Sequence, residues 1–133
     1  MVAFHHGKQR LALGTSEGNI FVYDLRTATR TKVFEEHKGA IIAVEFNKAG
    51  TMLASYCRED HTVRTWKVES GGFLSGLLSK SSSKSSQLIE LHPVSSIASN
   101  TKEFLELIEL EWLKNDKFLS LKREDGKLYD LVL

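Results

Sequence analysis

Three residues in the middle of this 133-residue sequence carry the side chains of a serine hydrolase: His37, Ser55 and Asp60. In such an enzyme a carboxylate orients an imidazole, which takes the proton of the attacking hydroxyl. The sequence around Ser55 lacks the Gly-x-Ser-x-Gly pattern of an exposed nucleophile, and no glycine-rich turn leads into a helix that could form an oxyanion hole. We therefore expect no catalytic residue and no enzyme, and a hydrolase using His37 and Asp60 is kept only as an alternative.

The same residue types fit a structural role better. A histidine that leads into the first strand of a small sheet can bond an aspartate in the turn before the third strand. A hydroxyl on the second strand, with Ser55 as the candidate, and the indole N–H of Trp66 would extend the chain of hydrogen bonds. We predict a buried structural network of His37, Ser55, Asp60 and Trp66; the alternative is a surface pair of His37 and Asp60.

Metal and cofactor chemistry is not expected. His5 and His6 are adjacent, so in a strand their side chains point to opposite faces and cannot share one metal ion. Cys57 follows an apolar strand pattern and is interpreted as a small packing residue rather than a nucleophile. The two glycines of Gly14–Gly18 lack the Gly-Lys-Ser/Thr sequence and the following helix that a phosphate-binding loop requires.

Composition excludes several classes of protein. There are 18 Lys and Arg against 17 Asp and Glu, a net charge of +1, which gives no electrostatic case for nucleic acid or an anionic membrane surface. A single cysteine cannot form an internal disulfide, and no apolar run approaches the roughly 18 residues that a membrane span needs. We expect a soluble intracellular domain without a signal peptide or direct membrane insertion.

The elements around these residues repeat along the chain. The short strand pattern that begins at Leu11 recurs at Leu53, 42 residues later, and again at Phe118, another 65 residues further on. Much of the extra length falls at Ser79–Ser86, a run of serine and lysine. A period near 42 with several short strands per unit is typical of the blades of a β-propeller.

We therefore predict an all-β fold: a partial β-propeller of about three blades of antiparallel strands, with the last blade incomplete. The units are residues 1–35, 36–78 and 87–133, and the serine-rich stretch 79–86 is a flexible loop. Three blades cannot close a ring, and open sheet edges invite further pairing. We expect the chain to be part of a larger protein, or to self-associate through those edges as a small free-standing protein.

The third unit contains the clearest turn and the least certain strand. Asp125-Gly126 suits the positive φ values of a tight hairpin. Asn100–Glu103 has the form of a helix N-terminal cap, but Ile108, Leu110 and Trp112 alternate with glutamates, which favours a strand from Ile108 onward.

Two charged or modifiable stretches have both structural and functional interpretations. The serine-rich stretch 79–86 is a solvated loop or a site of phosphorylation. The acidic residues are the solvent face of a sheet or a surface for a basic partner; they are Glu103, Glu106, Glu109, Glu111 and Asp116.

The sequence resembles the WD-repeat family. The resemblance rests on His37-x-Gly39, Leu53–Ser55, Asp60 and Thr62–Lys67, which stand where a WD repeat has its characteristic positions. The first unit ends in Tyr-Asp rather than Trp-Asp and has glutamate for the turn aspartate, and the third unit has leucine near the tryptophan position. The resemblance implies a β-propeller whose polar network is complete only in the middle blade.

Within that family, the sequence is similar to the C-terminal repeats of rabconnectin-3 beta proteins, most closely from Arg10 to Trp66. Those proteins are very large scaffolds that act with rabconnectin-3 alpha to assemble and regulate the vacuolar-type proton ATPase. The resemblance implies a non-enzymatic interaction scaffold with these protein partners, in the cytoplasm and peripheral on vesicle surfaces.

Overall fold

The computed structural model describes residues 1–69, 84–93, 108–123 and 125–133, and every regular element in these ranges is a β-strand. Their sequences are short, rich in β-branched and aromatic residues, and separated by turns. The strands are β1 Val2–His5, β2 Arg10–Gly14, β3 Ile20–Asp24, β4 Thr29–Phe34, β5 Ile41–Phe46, β6 Met52–Cys57, β7 Thr62–Lys67, β8 Gln87–Glu90, β9 Glu109–Leu113, β10 Phe118–Lys122 and β11 Leu128–Val132.

Within the described ranges, these strands form three antiparallel sheets in which each strand pairs with its neighbours along the chain. The first sheet has the order β1-β2-β3-β4, the second β5-β6-β7-β8, and the third β9-β10-β11. This up-and-down arrangement repeated along the chain is that of propeller blades. The prediction of an all-β partial propeller of about three blades is confirmed.

The second sheet lies between the other two and buries both of its faces. One face, with Phe46, Leu53 and Trp66, packs against the first sheet. The opposite face packs against the third sheet through Tyr56 and Val63. Strands β6 and β7 are therefore almost continuously buried, and the polar residues on them must find partners inside the protein.

The turns meet at two ends of the molecule. The β1–β2, β5–β6 and β9–β10 turns lie at one end, here called the first end, where the His5 ring contacts the carbonyl of Lys48 at 3.0 Å. The β2–β3, β6–β7 and β10–β11 turns lie at the opposite end, here called the second end. Two different polar surfaces result, one built around each set of turns.

The structure differs from the sequence-based boundaries at one strand. The predicted units place Gln87–Glu90 in the third unit, but this strand pairs with β7 and is the fourth strand of the second sheet. A strand of four mostly exposed residues has no alternation strong enough to show which sheet it joins. Positions 79–83 of the predicted loop and the possible helix cap at 100–103 lie outside the described residues.

Two local predictions about the third sheet are confirmed. The strand predicted from Ile108 onward is β9, which begins at Glu109, and β10 and β11 form a hairpin across Asp125 and Gly126. Gly126 has a φ of 73°, a left-handed conformation that glycine adopts at little cost. In the described part of the chain, no helix is both long and apolar enough to cross a bilayer.

Candidate functional site

The structure brings the four side chains of the proposed network into one hydrogen-bonded chain. Nδ1 of His37 lies 2.9 Å from Oδ2 of Asp60, and Nε2 lies 2.7 Å from Oγ of Ser55. The indole N–H of Trp66 donates to the same hydroxyl oxygen at 2.8 Å. Ser55 and Trp66 have no solvent exposure, and His37 is 5% exposed. The chain thus links β6 and β7 to the segment before β5 inside the protein.

Asp60 is held by more donors than the sequence suggested. Its Oδ2 also accepts the backbone N–H of Lys38 at 3.1 Å, and its Oδ1 accepts the backbone N–H and the hydroxyl of Thr62 at 3.0 and 2.6 Å. Burial alone would raise the pKa of Asp60, but the hydrogen bonds from Thr62, His37 and Lys38 outweigh it and lower the pKa below its ordinary value. Asp60 is therefore an ionised anchor for the turn.

His37 is neutral in this setting. Burial lowers the pKa of its imidazole below the ordinary value, and the attraction of Asp60 only partly opposes this effect. A neutral ring has one donor and one acceptor nitrogen. Since Asp60 can only accept, Nδ1 carries the hydrogen, and Nε2 accepts the hydroxyl hydrogen of Ser55. Every polar atom in the chain from Trp66 to Asp60 is then satisfied.

Packing around the chain fixes its geometry. Phe34, the last residue of the first sheet, stacks on Trp66 with ring centroids 4.6 Å apart and planes at 22°. Gly18, in the β2–β3 turn, has a φ of 89°, and a Cβ atom there would lie 2.3 Å from the carbonyl oxygen of His37. A turn of the first sheet is therefore in direct contact with the segment that carries the imidazole.

The order Asp60–His37–Ser55 is also the order of a hydrolytic triad, with comparable distances. However, the Ser55 hydroxyl is fully buried and already accepts the Trp66 N–H, so a substrate carbonyl has no route to it. A nucleophile also needs donors placed where the oxyanion forms, whereas this hydroxyl lies between packed strands. The arrangement favours a structural bond chain over hydrolysis.

A metal ion is a poor fit to the same place. Ligand atoms of His37, Cys57 and Asp60 lie within 4.8 Å of one another. Both nitrogens of His37 are engaged in hydrogen bonds, so a metal would have to displace Ser55 or Asp60. Burial raises the pKa of the Cys57 thiol to about 11, so the thiolate that a metal would bind is scarce at neutral pH.

A second polar cluster ties the serine-rich stretch to the second sheet, and sequence analysis did not find it. Ser85 donates its backbone N–H, at 3.1 Å, and its hydroxyl to Oε2 of Glu36. The Arg64 guanidinium donates to the same oxygen at 2.8 Å. Ser85 is therefore anchored rather than freely solvated. Its partners Glu36 and Arg64 lie 49 and 21 positions away in the sequence, and no local sequence pattern predicts such a contact.

A third contact, also missed from the sequence, joins the second and third sheets at the first end. The buried side chain of Asn47 donates to Oδ2 of Asp116 at 2.7 Å across a separation of 69 residues. Its carbonyl oxygen accepts the backbone N–H groups of Thr51 and Met52, both at 2.9 Å. Asn47 thus holds its own turn and the neighbouring one together.

The predicted acidic surface is divided. Glu109 and Glu111 are exposed on β9, whereas Asp116 lies in the β9–β10 turn and is engaged by Asn47. The Nζ atom of Lys122 lies 3.9 Å from the Glu109 carboxylate. Glu103 and Glu106 lie outside the described residues. The described acidic side chains therefore do not form one continuous patch.

The repeated four-stranded antiparallel sheets, together with the buried histidine, serine, aspartate and tryptophan of the second one, define a WD-type β-propeller. A family model described as the nucleolar protein 10-like N-terminal domain, a β-propeller, matches residues 1–104. The chain belongs to this family. WD-type propellers of this kind generally act as non-enzymatic interaction scaffolds.

Shorter similarities point to the same class. Autophagy-related protein 18 of Kluyveromyces lactis is 37% identical over 54 residues, which are 41% of this chain and 11% of that protein. Its counterpart from Kluyveromyces marxianus is also 37% identical over 54 residues, 10% of its length, and that from Vanderwaltozyma polyspora is 35% identical over 54 residues, again 10%. The matched region spans about a tenth of these relatives. The narrower resemblance to rabconnectin-3 beta is not supported by these matches.

Proposed function

We propose that this chain is a non-enzymatic scaffold that docks other proteins on its turns and sheet edges. The observation that carries the proposal is the complete internal satisfaction of the His37–Ser55–Asp60–Trp66 chain. Groups whose atoms are all used within the protein serve stability, and the exposed turns at the two ends are left to make contacts. The absence of access to the Ser55 hydroxyl supports the same conclusion.

As the more specific function, we propose the role that the rabconnectin-like residues imply. The chain would then contact rabconnectin-3 alpha or subunits of the vacuolar-type proton ATPase and would promote pump assembly. Its location would be the cytoplasm, peripheral on vesicle membranes through those partners. The proposal rests on the resemblance from Arg10 to Trp66, since likeness of fold does not fix function.

A second location is favoured by a separate observation. The family model that covers residues 1–104 is named for a nucleolar protein. On this basis the same scaffold would act in a nucleolar assembly, and its partners would be nucleolar proteins. The two candidates share a mode of action and differ in compartment and partner.

Proximity labelling of the protein at its natural locus, fused to a biotin ligase, distinguishes the candidates. Enrichment of proton-ATPase subunits with rabconnectin-3 alpha would establish the pump-assembly function. Enrichment of nucleolar proteins, with no pump subunits above a ligase-only control, would replace it by the nucleolar one. Labelling of an untagged second copy of the chain, and of no other protein above the control, would instead indicate the homo-oligomer alternative.

The size of the native polypeptide is measured alongside, by blotting cell extract with an antibody raised against residues 29–37, which are mostly exposed or half-buried. A band far above 15.0 kDa would mean that these sheets act as part of a larger propeller. A band at 15.0 kDa would mean that the scaffold acts through these residues alone.

A further inference from the structure

A cavity of about 460 Å³ opens at the first end, between the β5–β6 and β9–β10 turns. Lys48 and Ala49 line it from the β5–β6 turn, and Trp112 on β9 and Lys114 in the β9–β10 turn line it from the other side. Its size lies within the range of ligand pockets, about 300 to 1,000 Å³. It is separate from the buried network, which reaches the second end.

The wall formed by the β9–β10 turn has an uncommon backbone. Lys114, Asn115 and Asp116 follow one another with φ values of 45°, 56° and 63°. Asn and Asp tolerate left-handed conformations but Lys does so at a cost, so a run of three is favoured by a constraint from the surroundings. The Asn47–Asp116 hydrogen bond supplies that constraint, because it fastens the turn to the buried Asn47. The shape of the cavity is therefore set before any ligand arrives.

Two lysines and one aspartate line the cavity, so positive charges outnumber negative ones there. Lys48 and Lys114 are both exposed, and neither forms an ion pair with any carboxylate among the described residues. The nearest acid in the wall, Asp116, is already engaged by Asn47. The Lys114 ammonium lies 5.4 Å from the centre of the Phe118 ring, so part of its position is fixed by an aromatic contact. Two cations thus flank the opening.

The aromatic wall is fixed as well. Trp112 is half-buried and donates its indole N–H to the carbonyl oxygen of Glu45 at 3.0 Å. With this donor used, the ring contributes apolar surface to the cavity rather than a hydrogen bond. A site with a fixed aromatic wall and two cations is suited to a ligand that has an apolar side chain beside carboxylates.

We propose that this cavity binds an acidic segment of a protein partner, whose carboxylates pair with Lys48 and Lys114 and whose apolar side chain packs on Trp112. A peptide fits better than a nucleic acid because the cations flank one compact cavity and do not follow a track, in a chain of net charge +1. The inference deepens the proposed scaffold function and depends on it, since it names one docking site and the chemistry of its partner.

The test uses the full chain and a fluorescein-labelled peptide of alternating Asp and Glu around one central Leu. A matched peptide with Asn and Gln in place of the acids is the control. We expect the acidic peptide to raise the fluorescence anisotropy, and binding to weaken several-fold between 50 and 500 mM NaCl. The neutral peptide should bind at least tenfold more weakly.

Variants test whether the peptide binds at this cavity. The double variant K48E/K114E should weaken binding by about tenfold or more, because both attractions become repulsions. The matched control is K127E, an exposed lysine in the β10–β11 turn at the second end, which should bind as the parent does. Circular dichroism and the thermal midpoint of each variant establish that it is folded.

Tryptophan emission gives a second readout. Trp66 is fully buried, so a change in emission on adding unlabelled acidic peptide should come from Trp112 and disappear in W112F, while W112F still binds the labelled peptide.

Equal binding by folded K48E/K114E and the parent would overturn the proposal, and so would a failure of the acidic peptide to bind. Binding of vesicles of phosphatidylserine and phosphatidylcholine, or of a single-stranded RNA, with loss in K48E/K114E and no peptide binding, would assign the cavity to that ligand instead. If proximity labelling identifies protein partners while the peptide does not bind, the scaffold function stands and only this docking site fails.

Discussion

A Cβ atom at Gly18 would lie only 2.3 Å from the carbonyl oxygen of His37, so a turn of the first sheet touches the backbone that carries the imidazole of the second. The contact joins two units of the repeat at the place where the buried hydrogen-bond chain begins. It shows that the geometry of the network depends on the neighbouring sheet as well as on its own.

The variant Gly18→Ala should therefore destabilise the protein through two effects. The left-handed φ costs a residue with a Cβ about 1–2 kcal/mol, and the forced displacement of the His37 segment adds about 1–3 kcal/mol. Gly126→Ala is the matched control, since its φ of 73° is similar but a Cβ there meets nothing within 4 Å. Unfolding in urea measures the free energy of unfolding of both variants. Equal losses in the two variants would show that the contact with His37 has no cost.

The free energy of unfolding should depend on pH through His37. Its pKa is lowered in the folded protein, so as pH falls below about 6.5 the unfolded chain binds a proton that the folded one does not. Stability should thus fall from pH 7 to pH 5, with a slope from this residue of at most about 1.4 kcal/mol per pH unit. Unfolding in urea across this range, for the parent and His37→Gln, measures the difference.

His37→Gln should also lose about 1–3 kcal/mol at pH 7, because Asp60 and Ser55 each lose a partner. The loss should shrink toward pH 5. If both proteins show the same slope, the imidazole is not buried in its neutral form.

Removal of the central hydroxyl gives a third prediction. Ser55→Ala leaves the Trp66 N–H and Nε2 of His37 without their shared partner, so it should cost about 1–3 kcal/mol. Ser16→Ala, an exposed hydroxyl, is the matched control and should change stability little. If instead the parent hydrolysed an activated ester such as p-nitrophenyl acetate and Ser55→Ala stayed folded but inactive, the residue would be a nucleophile.

The thiol of Cys57 should be unreactive in the folded protein. It has no solvent exposure, and burial raises its pKa to about 11, so the reactive thiolate is scarce. With Ellman's reagent at pH 8, we expect one thiol per chain to react within seconds in 6 M guanidinium chloride and over hours without it. Fast reaction under native conditions would mean that the face between the first two sheets opens readily.

The hairpins of this fold could be predicted from sequence because their signals are local. Alternation from Ile108 onward, the run Ile41–Phe46 and the pair Asp125-Gly126 each lie within a few residues of the structure they specify. Residue type and spacing predict the four side chains of the buried network, and Thr62 could have joined them, since it follows Asp60 by two positions.

What could not be predicted depends on contacts between distant segments. Asn47 and Asp116 are 69 residues apart, and Glu36 and Ser85 are 49 apart. Neither pair has a sequence signature, because the approach of their segments is decided by how the sheets stack. The pairing of Gln87–Glu90 with β7 was missed for a related reason: a short exposed edge strand pairs through its backbone, which leaves little trace in residue type.

The pairing of each strand with its neighbour along the chain has a consequence for biosynthesis. Contacts between sequence neighbours form quickly and carry a small entropic cost of loop closure. The first sheet can therefore assemble once Phe34 has left the ribosome, while β5 and the strands that follow are still in the exit tunnel. Its apolar face, which includes Phe34, stays exposed until Trp66 and the rest of the second sheet pack against it. During that interval the nascent chain exposes a surface that chaperones recognise, and slow translation between the emergence of Phe34 and that of Trp66 would lengthen the exposure.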